Sequence, residues 1–283
     1  MNSAQRDVAS VPESILKKHF HEVRRSKTLE GEYPIDEWLE RLRYMADQDQ
    51  SGDRMRGWAT RAMILCFVGL FISFFVGSID VALILILLAP ILVVIYFLLN
   101  RLDVPNRLRD SVLPLLTILR EDASPKGTLY LKVDLNGPEK KTKHLKESES
   151  KGASRKVVET YFKDPWLQGR ILFCDGNLLK WEVTDLVRRR KVRKTNYRGK
   201  TKTKTKYKIK TRLDVSLGVR RDRYQIQVNS APEAPLIKKE SERKSVLRHR
   251  RYLAEGSSPN EGLDLSGFLY TISMTYKCLK PLG

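Results

Sequence analysis

Fourteen of the 25 residues from Arg188 to Arg212 are lysine or arginine and none is acidic, in a chain of 283 residues with a formal charge of +20. Residues 1–60, by contrast, hold 10 basic and 11 acidic side chains, so the positive excess is local. The chemistry open to such a run is the recognition of anions. The candidate anion-binding residues are Arg188, Arg189, Arg190, Lys191, Arg193, Lys194, Arg198, Lys200, Lys202, Lys204 and Lys206.

Their spacing predicts how they are carried. Tyr207, Ile209, Thr211, Leu213, Val215, Leu217 and Val219 alternate with Lys208, Lys210, Arg212, Asp214 and Ser216, and Thr205, Thr203 and Thr201 continue the pattern against Lys206, Lys204, Lys202 and Lys200. A period of two belongs to a strand. Asn196-Tyr197-Arg198-Gly199 has the composition of a turn, which predicts a hairpin folding back on residues 188–195. Pairing Arg193 with Lys202, Lys191 with Lys204 and Arg189 with Lys206 sets like charge against like, which destabilises a bare hairpin. An anionic partner relieves that repulsion; water and counterions are the plainer alternative.

Three partners fit. Against an anionic inner leaflet, at about 1 kcal/mol per basic residue, six engaged side chains contribute about 6 kcal/mol. RNA offers phosphates, but sequence readout wants aromatic or amide readers, and only Asn196, Tyr197 and Tyr207 lie near the tip. An acidic partner protein of a membrane complex is the third.

Catalytic layouts do not emerge. The chain has no GxxxxGK[ST] loop, GxGxxG, HExxH, GxSxG or EF-hand pattern. His19 and His21, two apart on a helix, point away from each other. His144 lies in a polar stretch and His249 among arginines, and Glu182 and Asp185 are expected to form ion pairs. Cys66, Cys174 and Cys278 have no metal or disulfide spacing. The expectation is a chain that is not an enzyme and has no cofactor or metal site.

What must position the cationic run starts with residues Ala62 to Leu99, 38 positions with almost no polar interruption, broken by Gly77-Ser78-Ile79-Asp80. A single helix of that length would reach about 57 Å against roughly 30 Å of bilayer core, so two antiparallel spans are expected, near 62–78 and 81–99. Arg41, Arg43, Arg54, Arg56 and Arg61 precede them, Arg101, Arg107, Arg109 and Arg120 follow, and the turn carries only Asp80. The positive-inside rule then puts both termini in the cytoplasm, with the cell's inner membrane as host. No signal-peptide layout precedes the spans. Gly69, Ser73 and Gly77, four apart, form a small-residue stripe for helix packing, and Pro90 predicts a kink.

Around this hairpin, 1–60 is expected to be a cytoplasmic helical segment, with a short helix near Ile15–Arg25, an apolar stripe of Ile35, Trp38, Leu39 and Leu42, and a polar break at Gln48–Asp53. Residues 101–123 predict a juxtamembrane amphipathic helix through Leu108, Val112, Leu115, Leu116 and Leu119. Residues 124–228 predict a small antiparallel β domain, a meander, sandwich or barrel. It holds strands at Leu129–Leu135, Lys156–Phe162, Gly169–Cys174 and beyond, with Asn136–Ser154 as a loop. The segment 229–283 reads as a Pro-containing linker, a basic helix near Lys238–Leu253 and a last strand at Phe268–Cys278. The whole is an α+β chain: a transmembrane helical hairpin plus a β domain with a protruding basic hairpin, a membrane-anchored binding or scaffolding protein.

Overall fold

The computed structural model describes residues 11–101, 105–152, 155–227, 236–240, 244–257 and 262–282. The expected linker at 230–235, Val228 at the end of a predicted strand, and part of the basic segment after Lys238 lie outside the described residues. The chain is α+β and divides into two compact units, one of residues 27–40 and 106–283, the other of residues 11–26 and 41–105.

The first unit is built on one open antiparallel sheet. Its strands are β1 (Thr28–Pro34), β2 (Thr128–Asp134), β3 (His144–Gly152), β4 (Arg155–Leu172), β5 (Leu178–Thr195), β6 (Thr201–Arg220), β8 (Leu236–Glu240) and β9 (Lys244–Gly256). Their order is β1-β2-β4-β5-β6-β9-β8, with β3 on the free side of the outer half of β4. It is neither a sandwich nor a closed barrel, because helices cover one face. Leu129, Leu131, Leu167, Leu179, Val183, Leu213, Val215, Leu217 and Leu247 line that face, each fully buried. A π-helical turn (Leu108–Val112) runs into α4 (Leu113–Asp122), and Leu108, Val112, Leu115, Leu116 and Leu119 are all buried, as their spacing predicts. Pro114 sits in the first turn of α4, where its missing N–H breaks no helical bond. Trp38 also joins this layer, its indole N–H donating to the Leu129 carbonyl at 2.8 Å. Gly169 is required where Trp181 crosses it, since a Cβ there would lie 2.0 Å from the indole.

Three expectations are overturned in this unit. The polar stretch 136–154 contains β3, paired with β4 from His144 to Gly152, because alternating Lys, Glu and Ser suit an exposed edge. The basic helix near Lys238–Leu253 is instead two strands, β8 and β9; Ser245, Leu247 and His249 face the core while Arg248 and Arg250 face outward to Asp214. The last strand at Phe268–Cys278 is instead α5 (Leu265–Tyr276), capped by Asp264, whose carboxylate accepts from Gly267 N at 2.9 Å. Its buried stripe is Phe268, Thr271 and Thr275, and both threonine hydroxyls donate to the carbonyl four residues back. After α5, β10 (Leu279–Pro281) pairs back with β7 (Tyr224–Ile226), which follows β6.

The second unit holds α1 (Glu13–Ser26), most of α2 (Ile35–Val76) and α3 (Ile79–Arg101). α1 buries Leu16, Phe20 and Val23, and Phe20 meets Tyr44 edge-on at 6.4 Å. His19 Nδ1 lies 2.9 Å from Arg41 Nη1, which ties the histidine to a guanidinium instead of a metal. α2 has 42 residues, about 63 Å at 1.5 Å per residue. No break occurs at Gln48–Asp53: the Arg56–Asp53 ion pair and the Ser51 hydroxyl bonded to Gln48 O satisfy the polar groups within the helix. α3 runs on through Pro90. Both α2 and α3 are long and apolar enough to cross a membrane.

Candidate anion-binding face

Strands β5 and β6 pair from Leu178↔Gly218 to Thr195↔Thr201, so both arms of the cationic run lie in regular sheet. The connection is Asn196–Lys200. Asn196 N donates to Lys200 O at 3.0 Å, Gly199 N to Asn196 O at 3.0 Å, and Lys200 N to the Asn196 side chain at 2.8 Å. With five residues in the connection, the register differs by one from the expected pairing. Arg193 stands opposite Thr203, Lys191 opposite Thr205 and Arg189 opposite Tyr207, not opposite Lys202, Lys204 and Lys206.

A slip of one residue changes which β5 side chains share a face with the β6 lysines: Lys194, Arg190 and Arg188 take the places expected for Arg193, Lys191 and Arg189, and like charges still stand opposite each other. Lys202, Lys204, Lys206 and Lys208 share one face with Lys194, Arg190 and Arg188, through the pairs Lys194↔Lys202, Arg190↔Lys206 and Arg188↔Lys208. Arg155, opposite Lys194 on β4, belongs to the same face. This is the outer face, opposite the one that carries Leu179, Trp181 and Val183 into the core. Successive lysines along β6 are separated by about 6.8 Å. The other face carries Thr201, Thr203 and Thr205 with Arg189, Lys191 and Arg193.

The run is also not a bare two-stranded finger. β4 accompanies β5 as far as Arg155↔Lys194, and β3 accompanies β4, so the end of the sheet is four strands wide. Acids from the added strands and from the turn before β3 neutralise selected cations. Arg189 pairs with Glu139 at 2.6 Å, Arg190 with Glu159 at 3.3 Å, and Lys156 and Lys151 with Glu149 at 2.8 and 3.0 Å. Lys208 and Lys210 grip Glu255, holding its carboxyl down at about 2. Nearer the middle of the sheet, Asp214 sits among Arg212, Arg248 and Arg250 at 2.9, 2.8 and 2.7 Å. Burial opposes its charge, yet the bonds from Arg250 and Arg248 keep its pKa below the ordinary carboxylate value. Among the described residues, Arg188, Lys194, Lys202, Lys204 and Lys206 have no acidic partner.

The remaining candidates divide. Arg198 and Lys200 lie in the connection, where the Arg198 guanidinium stands 5.2 Å over the Tyr197 ring. Tyr207 is on the opposite face from the lysines and donates to Glu139 at 2.6 Å, a bond that with partial burial raises its pKa. Asn196 is engaged by Lys200 N. Of the three possible base readers, Tyr197 is exposed and is held neither by an acid, as Tyr207 is, nor by a backbone N–H, as Asn196 is.

Sequence reasoning missed a second cluster, inside the sheet unit. Asp164 and Asp185 are cross-strand neighbours on β4 and β5. Arg107 reaches Asp185 at 2.6 Å and lies 4.6 Å over the Trp166 ring, while Lys143 reaches Asp164 at 2.6 Å and Asp134 at 2.9 Å. Thr211 donates the second bond to Asp185 at 2.8 Å. Burial pushes the Asp164 carboxyl up, against the pull of Lys143 and Arg107. Asp185 thus makes the expected ion pair; Glu182 stands on the outer face, 4.0 Å from Arg212. No signal marked Lys143, since it lies in a Lys/Glu/Ser-rich stretch that reads as solvated.

In the helical unit, Gly69 faces Leu85, whose methyl would lie 3.0 Å from an added Cβ, and Cys66 Sγ reaches Leu85 O at 3.4 Å. Ser73 is buried and bonds back to Gly69 O at 2.8 Å. Gly77 does not share this contact: nothing lies within 4 Å of its added Cβ, and its φ of +75° closes α2 before the turn into α3. No protein-family model matches the chain, and no curated protein or solved structure is significantly similar to it.

Proposed function

We propose that this chain is a non-catalytic, membrane-anchored binding protein. In this reading α2 and α3 cross a bilayer as a hairpin with both termini in the cytoplasm, and the outer face at the β3–β6 end of the sheet contacts anionic inner-leaflet lipid. The observation that carries it is the row of Lys194, Lys202, Lys204 and Lys206 on one face of the sheet, without acidic partners among the described residues, in a chain that also has two helices of spanning length. Leu65, Phe71, Phe74 and Leu87 on those helices are 66–83 % exposed. A soluble protein buries such helices. Arginines flank both ends and Asp80 alone marks the turn, which supports a cytoplasmic location for the flanks. An array of ammonium groups on one face of a sheet suits a surface of headgroups, each cation contributing about 1 kcal/mol near an anionic leaflet.

RNA is the second reading, favoured by one observation, the exposed Tyr197 beneath Arg198. Stacking on a single tyrosine leaves little beyond phosphate contact. The two are separated with the full chain in nanodiscs of phosphatidylcholine, with and without phosphatidylglycerol, by hydrogen exchange of residues 194–206. Slower exchange with phosphatidylglycerol, abolished by replacing Lys202, Lys204 and Lys206 with threonine, is the expected result. Equal exchange in both discs, or protection only on adding RNA, would overturn the lipid assignment.

A further inference from the structure

Beside the lysine array the same outer face carries an apolar groove of about 380 Å³, lined by Leu145, Tyr161, Leu186, Arg188, Lys208 and Lys210. Nearer the middle of the sheet the same face carries the ion pairs of Asp214 with Arg212, Arg248 and Arg250. Leu145 is 58 % exposed at the irregularity where β3 joins β4, and Leu186 and Tyr161 are half-buried in the floor. The Lys146 ammonium caps the Tyr161 ring at 4.8 Å. At the rim, Lys208 and Lys210 are committed to Glu255, whereas Arg188 has no acid. The Nε–H of Arg188 is enclosed and has no hydrogen-bond acceptor among the described residues. A guanidinium at the rim without an acid leaves charge-assisted donors open to an anion, and an exposed leucine beside it calls for an apolar cover.

We infer that this groove is a site for one anionic phospholipid, with its phosphate on Arg188 and the first part of an acyl chain over Leu145, Tyr161 and Leu186. The inference rests on the membrane reading above and deepens it: the lysine array supplies diffuse attraction, and the groove engages a single molecule. A nucleic acid has the phosphate but no aliphatic part to cover Leu145, and a free phosphate leaves the apolar floor in water. From the rim, positive charge without acidic partners among the described residues continues along Arg188, Lys206 and Lys204 on the outer face.

The test uses the full chain in phosphatidylcholine nanodiscs carrying a trace of phosphatidylglycerol with a photoactivatable group in its acyl chain, or the matching phosphatidylcholine probe. Labelled peptides are mapped by mass spectrometry. Labelling at Leu145, Tyr161 and Leu186 by the phosphatidylglycerol probe, several-fold above the phosphatidylcholine probe, is expected. Arg188→Gln should reduce it roughly fivefold, the loss of one phosphate contact, and Leu145→Ser, at an exposed position, should reduce it without unfolding the sheet. Probe confined to α2 and α3, or labelling that soluble glycerol phosphate suppresses, would overturn the inference. If Arg188→Gln keeps full labelling while threonine at Lys202, Lys204 and Lys206 removes the hydrogen-exchange protection, the groove fails and the broader reading stands. Loss of both anionic preferences would end both.

Discussion

Replacing Lys143 by methionine removes the cation that holds one buried carboxylate, Asp164, and one half-buried one, Asp134. The lysine side chain is 7 % exposed, with its ammonium 2.6 Å from Asp164, 2.9 Å from Asp134 and 2.7 Å from the Asn136 carbonyl, and Asp164 is 1 % exposed. Breaking a buried pair by deleting one partner costs about 3–5 kcal/mol, because the remaining charge stays desolvated. For a unit of this size that corresponds to a fall of about 10 °C in Tm. The cost also depends on pH. Burial already places the folded pKa of Asp164 above its ordinary 3.8, and without Lys143 it rises further. A carboxyl with a raised folded pKa takes up its proton in the folded state first, so the deficit is largest at neutral pH. It shrinks as pH falls through that raised value, by at most about 1.4 kcal/mol per pH unit. Thermal unfolding of the detergent-solubilised full chain, followed by tryptophan fluorescence, reads both effects. Adding Asp164→Asn to Lys143→Met should recover part of the loss at neutral pH. An unchanged Tm, or a deficit that is the same at neutral pH and about pH 5, would refute the burial argument.

Asp214→Asn should lower Tm at neutral pH, since the carboxylate is the shared acceptor of three arginines. Because its folded pKa lies below the ordinary 3.8, the wild-type advantage should be full above that value and vanish as pH falls through the lowered one. Acid titration of both proteins by thermal unfolding measures it. Gly69→Leu should loosen the α2–α3 contact, as its Cβ already meets a Leu85 methyl at 3.0 Å. A cost of about 1–3 kcal/mol follows from overpacking, visible as faster proteolysis at the 77–80 turn in detergent; unchanged digestion would place the helices farther apart.

The elements legible in the sequence are those in which one physical period dominates. The α4 stripe, β2 and the alternating lengths of β5 and β6 have apolar residues at a single spacing, and burial follows that spacing; the apolar lengths of α2 and α3 are legible instead as an almost unbroken hydrophobic run. The unread elements are those whose stabilising groups are polar. β9 buries Ser245 and His249 and turns its arginines outward to Asp214, so its alternation is invisible to hydrophobicity. α5 hides a helical stripe of threonines, each hydroxyl satisfied four residues back, behind a coincidental every-second spacing of aromatic and aliphatic side chains. The Asp264 cap was the available signal. β1 contributes only Leu29 among its buried hydrophobic side chains, and its pairing with β2 depends on residues about 100 positions away. The cationic residues and the alternation that puts the β6 lysines on one face are legible in the sequence, but which β5 cations share that face is not, because it depends on whether the connection at 196–200 counts four residues or five.

The central claim, that the cationic outer face rests on anionic lipid, is tested most directly at the tip of the sheet. Tyr197 is 89 % exposed, so Tyr197→Cys in a Cys174→Ser background takes a polarity-sensitive fluorophore while Cys66 and Cys278 stay buried. In nanodiscs, phosphatidylglycerol should shift the emission to the blue relative to phosphatidylcholine alone, and high salt should reverse the shift by screening. Identical emission in the two discs at low salt would contradict it.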